Sequence, residues 1–329
     1  MLVNAFYILL IGDADMLAII VGLAIGIGLP MQTSINSRLR RAIGSPYLAS
    51  LISFAIGTLF LLVMTWLMRH SLLFSWSLFT SQPWWLWIGG ILGVIYLTGN
   101  ILLFPKLGSV QTVIMPVLGQ ILAGLLIDNF GWFSSPQKPL SLTRVLGAVL
   151  VLLGVLGVVA LDGWLERRHD RLDAAPKTNS GELWLWRAFG VLAGMLSAVQ
   201  TAINGHLGQV LHSAVAAALV SFLVGTLGLV LVVLALRPKW QLTAQKRATA
   251  PWWMWLGGIV GALFVLGNAF LVPQIGTGLA VVIVLVGLMI GSLLIDQFGW
   301  LESQRNPLTL AQLLGLIVMI AGVALIRLF

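Results

Sequence analysis

The chain of 329 residues contains no cysteine, only four histidines and three tyrosines, and just 9% charged residues. Without cysteine there are no disulfides, no thiolate metal sites and no cysteine nucleophile. Soluble domains carry about a quarter of their residues as charges, so an ordinary water-soluble enzyme is excluded. No G-x-x-x-x-G-K-[ST] segment is present to cradle a nucleotide, and no H-E-x-x-H to hold zinc. A paired-aspartate cluster of the kind an intramembrane prenyl or phosphoryl transferase needs is also missing. His70, His169, His206 and His212 all fall outside the middles of the apolar runs, which leaves an intramembrane Ser-His protease without its base. The expectation is a protein that is not an enzyme and that needs neither cofactor nor metal.

What the chain has in excess is apolar length. Hydrophobic residues make up 59% of it and the mean hydropathy is +1.03. A helix crossing roughly 30 Å of hydrocarbon at 1.5 Å per residue takes about 20 residues, so ten spans would use about 200 of them. The composition is that of an all-α polytopic membrane protein whose principal partner is the lipid bilayer. Its 18 Lys and Arg against 10 Asp and Glu would point to nucleic acid in a soluble chain. In this one they read as cationic cytoplasmic loops, and no nucleic-acid partner is expected. Residues 1–15 form an apolar lead-in without the basic region and cleavage site of a signal peptide.

The sequence also repeats itself. Gln32-Thr33-Ser34-Ile35-Asn36 returns as Gln200-Thr201-Ala202-Ile203-Asn204, and Pro83-Trp84-Trp85-Leu86-Trp87 as Pro251-Trp252-Trp253-Met254-Trp255, both 168 positions later. Leu125 to Trp132 returns in the same register as Leu293 to Trp300. The chain therefore divides into a first unit, 16–161, a hydrophilic linker, 162–183, and a second unit, 184–329. Five spans are expected in each: 16–35, 48–68, 84–104, 108–128 and 142–161, then 184–203, 216–236, 252–272, 276–295 and 310–328. Ser141 and Thr309 stand at N-cap positions. The short links Pro105-Lys106-Leu107-Gly108 and Pro273-Gln274-Ile275-Gly276 make antiparallel hairpins of the third and fourth spans, with Pro105 and Pro273 ending the third helices.

Five crossings reverse the side on which the second unit starts, so the two units are expected to be inverted. The N-terminal side then holds Arg69, Lys138, Arg144 and Arg327, and the linker side holds the other fourteen basic residues. The positive-inside rule makes the linker side cytoplasmic and puts both termini outside. The copies differ accordingly. Arg38, Arg40 and Arg41 follow the first span in one copy only, while Arg237, Lys239, Lys246 and Arg247 follow the second span in the other.

Polar residues inside the spans are the candidates for chemistry. Gln32 and Asn36 share a helix face, as do Gln200 and Asn204, and with Asn100, Gln111, Gln120 and Asn268 they either bond between helices or line a substrate cavity. Gln111 and Gln120 correspond to Leu279 and Leu288, so any cavity is polar on one side only. With no charge at mid-span, a neutral, zwitterionic or largely apolar solute is expected. Asp128 and Asp296, at the ends of the fourth spans, are gate or coupling candidates. The reading favoured here makes them turn caps, for which Asn would be a mild replacement. The Gly89-Gly90-x-x-Gly93 and Gly257-Gly258-x-x-Gly261 runs point to close helix packing.

The ensemble of Q-T-x-I-N, S-F-x-x-G-T (Ser53 to Thr58, Ser221 to Thr226), D-x-F-G and P-L-[ST] resembles the YdcZ-type inner-membrane exporter family of the drug/metabolite transporter superfamily. The resemblance covers nearly residues 16–329. It implies ten transmembrane helices as two inverted five-helix repeats, a substrate held between the halves, and a multi-pass protein of the bacterial inner membrane that exports a small organic metabolite or drug-like molecule. The glutamate that small multidrug members carry in their first span is missing, which counts against proton-coupled export of cations. The competing class is a passive channel or a non-transporting scaffold. The fifth spans, poor in polar groups, are expected at the periphery or at a homodimer contact.

Overall fold

The computed structural model describes residues 13–69, 76–169, 180–241, 250–302, 305 and 307–328. The lead-in up to residue 12, and residues 170–179 of the expected linker, lie outside them. Among the described residues there is no strand. The α-helices are α1 (Asp13–Ile43), α2 (Pro46–Arg69), the short α3 (Trp76–Ser81), α4 (Gly89–Phe130), α5 (Leu142–His169), α6 (Ser180–Val210), α7 (Ala214–Leu236), α8 (Gly257–Ile275), α9 (Thr277–Phe298) and α10 (Leu310–Leu328). Nine stretches among them are long and apolar enough to cross a membrane.

The difference from ten spans lies in α4, a helical run of 42 residues. Were it straight, it would be about 63 Å long and would hold Tyr96 about 36 Å from Gln120. Instead Gln120 Nε2 donates to the Tyr96 hydroxyl at 3.1 Å, so the run doubles back and its two arms are antiparallel. Leu103 and Met115 both lie against Gly190 of α6, which confirms the reversal. Neither proline ends its helix as expected. The backbone stays helical past residue 105, and α8 passes Pro273 and stops at Gly276. Gly276 has φ +86°, a left-handed backbone that a side chain would strain. The expected caps do form. Ser141 Oγ accepts from Arg144 N, and Thr309 and Gln312 bond reciprocally through N–H and side chain. The first tryptophans of each third span sit outside it, in 3₁₀ turns at Trp84–Trp87 and Trp252–Trp255.

The two halves are built through one another. α6 packs along both arms of α4, and α1 packs along both α8 and α9. The first helix of each half is thus wedged between the third and fourth helices of the other. Equivalent residues also meet: Phe54 stacks on Phe222, with ring centroids 4.9 Å apart, and the hydroxyls of Thr58 and Thr226 are 2.8 Å apart. The fifth helices form a layer of their own. Gly147 lies against Gly322 and Gly154 against Gly315, so α5 and α10 run in opposite directions.

Candidate functional site

The Q-x-x-x-N faces and the glycine runs turn out to be two parts of one device. A side chain on Gly261 would collide with the Gln32 amide, and one on Gly257 with Asn36. In the other interface Gly93 makes room for Gln200 and Gly89 for Asn204. Each amide pair therefore sits on bare backbone of the opposite half's third helix. The four residues lie in two interfaces, α1 on α8 and α6 on the first arm of α4. Asn36 Oδ1 and Asn204 Oδ1 are buried without a hydrogen-bond partner among the described residues, an arrangement that ordinarily costs free energy.

The second group is one-sided. Gln120 Nε2 bonds Tyr96 OH and Ser197 Oγ, both at 3.1 Å. Asn100 reaches the same hydroxyl, and its Oδ1 has no partner among the described residues. The equivalents of Tyr96, Gln120 and Ser197 are Phe264, Leu288 and Leu29. Only Asn268 is kept, buried and spent on Phe264 O of its own helix at 3.0 Å.

Gln111 lies apart from this cluster, on the wall of a cleft of about 410 Å³ between the second arm of α4 and the start of α6. Gln111, Met115 and Leu118 form one wall, and Trp184, Arg187, Ala188 and Val191 the other. Both sets have helical spacing, so each is a single face. Arg187 Nε donates to Gln111 Oε1 at 2.8 Å, and its guanidinium lies 5.5 Å from the Trp184 ring. The cleft runs beside a close helix contact, Gly119 against Val191 O and Gly194 against Pro116 O, and the related interface between α9 and α1 is as close, Gly26 against Val284 O and Gly287 against Leu23 O. Leu279, Ile283 and Val286, which stand where the cleft has Gln111, Met115 and Leu118, are all buried there.

Asp128 is fully buried and makes a clamp between the halves. Its carboxylate accepts from Thr277 N at 2.8 Å and Gly278 N at 3.0 Å, the free N–H groups at the start of α9. Arg144 Nη2, also buried, pairs with it at 3.0 Å, and Ser135 Oγ donates at 3.2 Å. Lys138 Nζ closes the same corner on Ile275 O at 2.9 Å. Asp128 is thus a cap, but of the other half's helix and out of reach of solvent. The position of Arg144 is held by Gln312 in the second copy, and Asp296 is half-buried near the end of α9.

Residues 17–157 and again 185–325 match the family described as "Putative inner membrane exporter, YdcZ". The chain belongs to the YdcZ exporter family. Both ends of the second match lie 168 residues after those of the first, the register of the sequence repeat. Inner membrane protein YdcZ of Escherichia coli (strain K12) is 26% identical over 132 residues, which is 40% of this chain and 87% of that protein. That relative is therefore about as long as one of the two units. A crystal structure of a protein 17% identical in sequence superposes with a TM-score of 0.67 over 94% of each chain, and so shares the fold. A family of inner-membrane exporters, together with the apolar helices, supports a membrane transporter.

Within this YdcZ framework, sequence reasoning overlooked Tyr96, Ser197, Arg187 and the Ser135–Arg144–Thr277 surround of Asp128. Arg187, counted from the sequence among the basic residues of the linker side, lies inside α6. The signal that marks most of them is a difference between the copies: Tyr96 against Phe264, Ser197 against Leu29, Arg187 against Ile19 and Arg144 against Gln312.

Proposed function

We propose that the protein is a secondary transporter that exports a small organic solute by alternating access, through rocking of two inverted five-helix repeats. The observation that carries this reading is the inequality of two related interfaces. Both seams are closely packed, but a cleft lies beside the contact of α6 with the second arm of α4, where the related positions Leu279, Ile283 and Val286 on α9 are buried. A one-sided opening beside two related seams is the kind of asymmetry that alternating access uses. The antiparallel α5 and α10, and the pairing of Thr58 with Thr226, support the inverted relation.

In this reading the linker side, with fourteen of the basic residues, is cytoplasmic. The cleft then opens inward and the Asp128 clamp closes the outer side. Gln120, Tyr96, Asn100 and Ser197 form the polar floor that a solute meets. Gln32, Asn36, Gln200 and Asn204 are the sliding contacts of the seams. Asp128 acts as the outer gate, and Asp296 occupies the related inner position. The α5–α10 layer, with exposed Leu146, Val149, Leu153, Leu314 and Ile317, faces lipid or a second copy.

Purified protein reconstituted in vesicles and offered a panel of radiolabelled metabolites tests the proposal. A carrier gives saturable uptake and counterflow for at least one solute. Flux that rises linearly with concentration, without counterflow, would make the protein a channel instead.

A further inference from the structure

We propose that the cleft between α6 and the second arm of α4 binds organic anions, holding a carboxylate on Arg187 and an apolar body on the walls beneath it. The inference rests on the transporter reading only for its biological sense; the binding chemistry stands on the cleft itself.

Among the described residues Arg187 is the one charged side chain on the walls of this cleft, whose other lining residues are Gln111, Met115, Leu118, Trp184, Ala188 and Val191. Among the described residues no carboxylate lies within ion-pair distance of it. Glu182, one turn earlier, is engaged by Lys106 Nζ at 2.8 Å and by Trp186 Nε1 at 3.3 Å. A guanidinium is always protonated and carries five N–H donors. Here Nε is satisfied by Gln111 Oε1 at 2.8 Å, which fixes the plane of the fork. The two terminal nitrogens are left as a pair of parallel donors, the geometry that matches the two oxygens of a carboxylate.

The remaining walls define the rest of the ligand. Met115, Leu118 and Val191 offer hydrocarbon, and Trp184 offers an aromatic face beside the cation. A cleft of about 410 Å³ lies in the range typical of small-molecule sites. A cation would be repelled by Arg187 and would find no counter-charge on these walls. A neutral solute would leave the guanidinium without its strongest partner. The second copy has Ile19 for Arg187 and Leu279 for Gln111, so the anion site exists once per molecule. At this cleft the expectation of a neutral, zwitterionic or largely apolar solute gives way to one that carries a carboxylate.

The test uses the full-length protein in phosphatidylcholine nanodiscs and three radiolabelled probes of one shape: 4-phenylbutyrate, 4-phenylbutyramide and 4-phenylbutylamine. The carboxylate is expected to bind saturably, about tenfold or more tightly than the amide, the scale of a charge-assisted hydrogen bond, and the amine most weakly. Arg187→Gln should abolish the preference. Arg187→Lys should keep part of it, and it shows that loss in the first variant is not loss of folding. Gln111→Leu should weaken the carboxylate alone, by freeing the fork.

Equal binding of the three probes overturns the proposal, as does no saturable carboxylate binding below millimolar, or an unchanged preference in Arg187→Gln. Nanodiscs containing phosphatidylglycerol separate the two sources of an anion with an apolar tail. Binding that persists there supports a soluble ligand, and complete displacement identifies a lipid seat and overturns it. Counterflow of neutral solutes without carboxylate preference would remove this inference and leave the transporter. Carboxylate binding without any counterflow would do the reverse.

Discussion

Asp128 and Arg144 are buried together, and neither has water to fall back on. A replacement that keeps shape but removes charge is therefore expected to cost stability, where turn capping alone would make it mild. Asp128→Asn leaves a buried guanidinium without its counter-charge, and breaking such a pair costs about 3–5 kcal/mol. The expected outcome is a clear fall in the thermal transition of the purified protein. Asp128→Asn combined with Arg144→Gln copies the neutral residue at Gln312 and should recover much of the loss, because no unpaired charge remains. A double variant no more stable than the single one would mean that the N–H groups of Thr277 and Gly278, not Arg144, are what need the carboxylate.

At the scale of elements, glycine decides how closely the helices approach. A side chain on Gly258 would collide with the backbone carbonyl of Ser53, and one on the related Gly90 with that of Ser221. Backbone cannot move aside as a side-chain end can. Gly258→Ala should therefore destabilise by about 1–3 kcal/mol through overpacking. Gly228 is the internal control, also mid-helix but with nothing within 4 Å of an added methyl. Gly228→Ala should be neutral or stabilise by up to about 1 kcal/mol, the helix-propensity gain. Thermal unfolding of the two variants side by side checks both. Equal effects would show that propensity, not interhelical distance, governs these positions.

For the whole molecule the open question is which way it sits in the membrane. The absence of cysteine makes this directly measurable, since any introduced thiol is the only one. With the linker side cytoplasmic, a cysteine replacing Asp13 should react with an impermeant maleimide added to intact cells. One replacing Gln241, which follows α7 and donates to Ile43 O at the other end of α1, should react only after the membrane is opened. The opposite pattern would reverse the orientation, and with it the assignment of the cleft as inward-facing.

Whatever depends on regular spacing or on composition was legible in the sequence by itself: the membrane class, the duplication, the hairpins, the caps at Ser141 and Thr309, and the polar faces of the first and sixth spans. Period and transfer free energy are properties of short stretches, and one chain carries them without a partner. The tertiary structure alone decided which face meets which. Gln32 and Asn36 lie on glycines 229 and 221 positions away, and Asp128 caps a helix that starts 149 residues later. Pairings of this kind are set by how two halves wedge into each other. Arg187 shows the limit most plainly. As a charge near a hydrophilic stretch it reads as loop, and only the packing of α6 against α4 turns it into the single cation of an apolar cleft. Desolvation gives a charge its chemical meaning, and it is determined by neighbours that are remote in sequence.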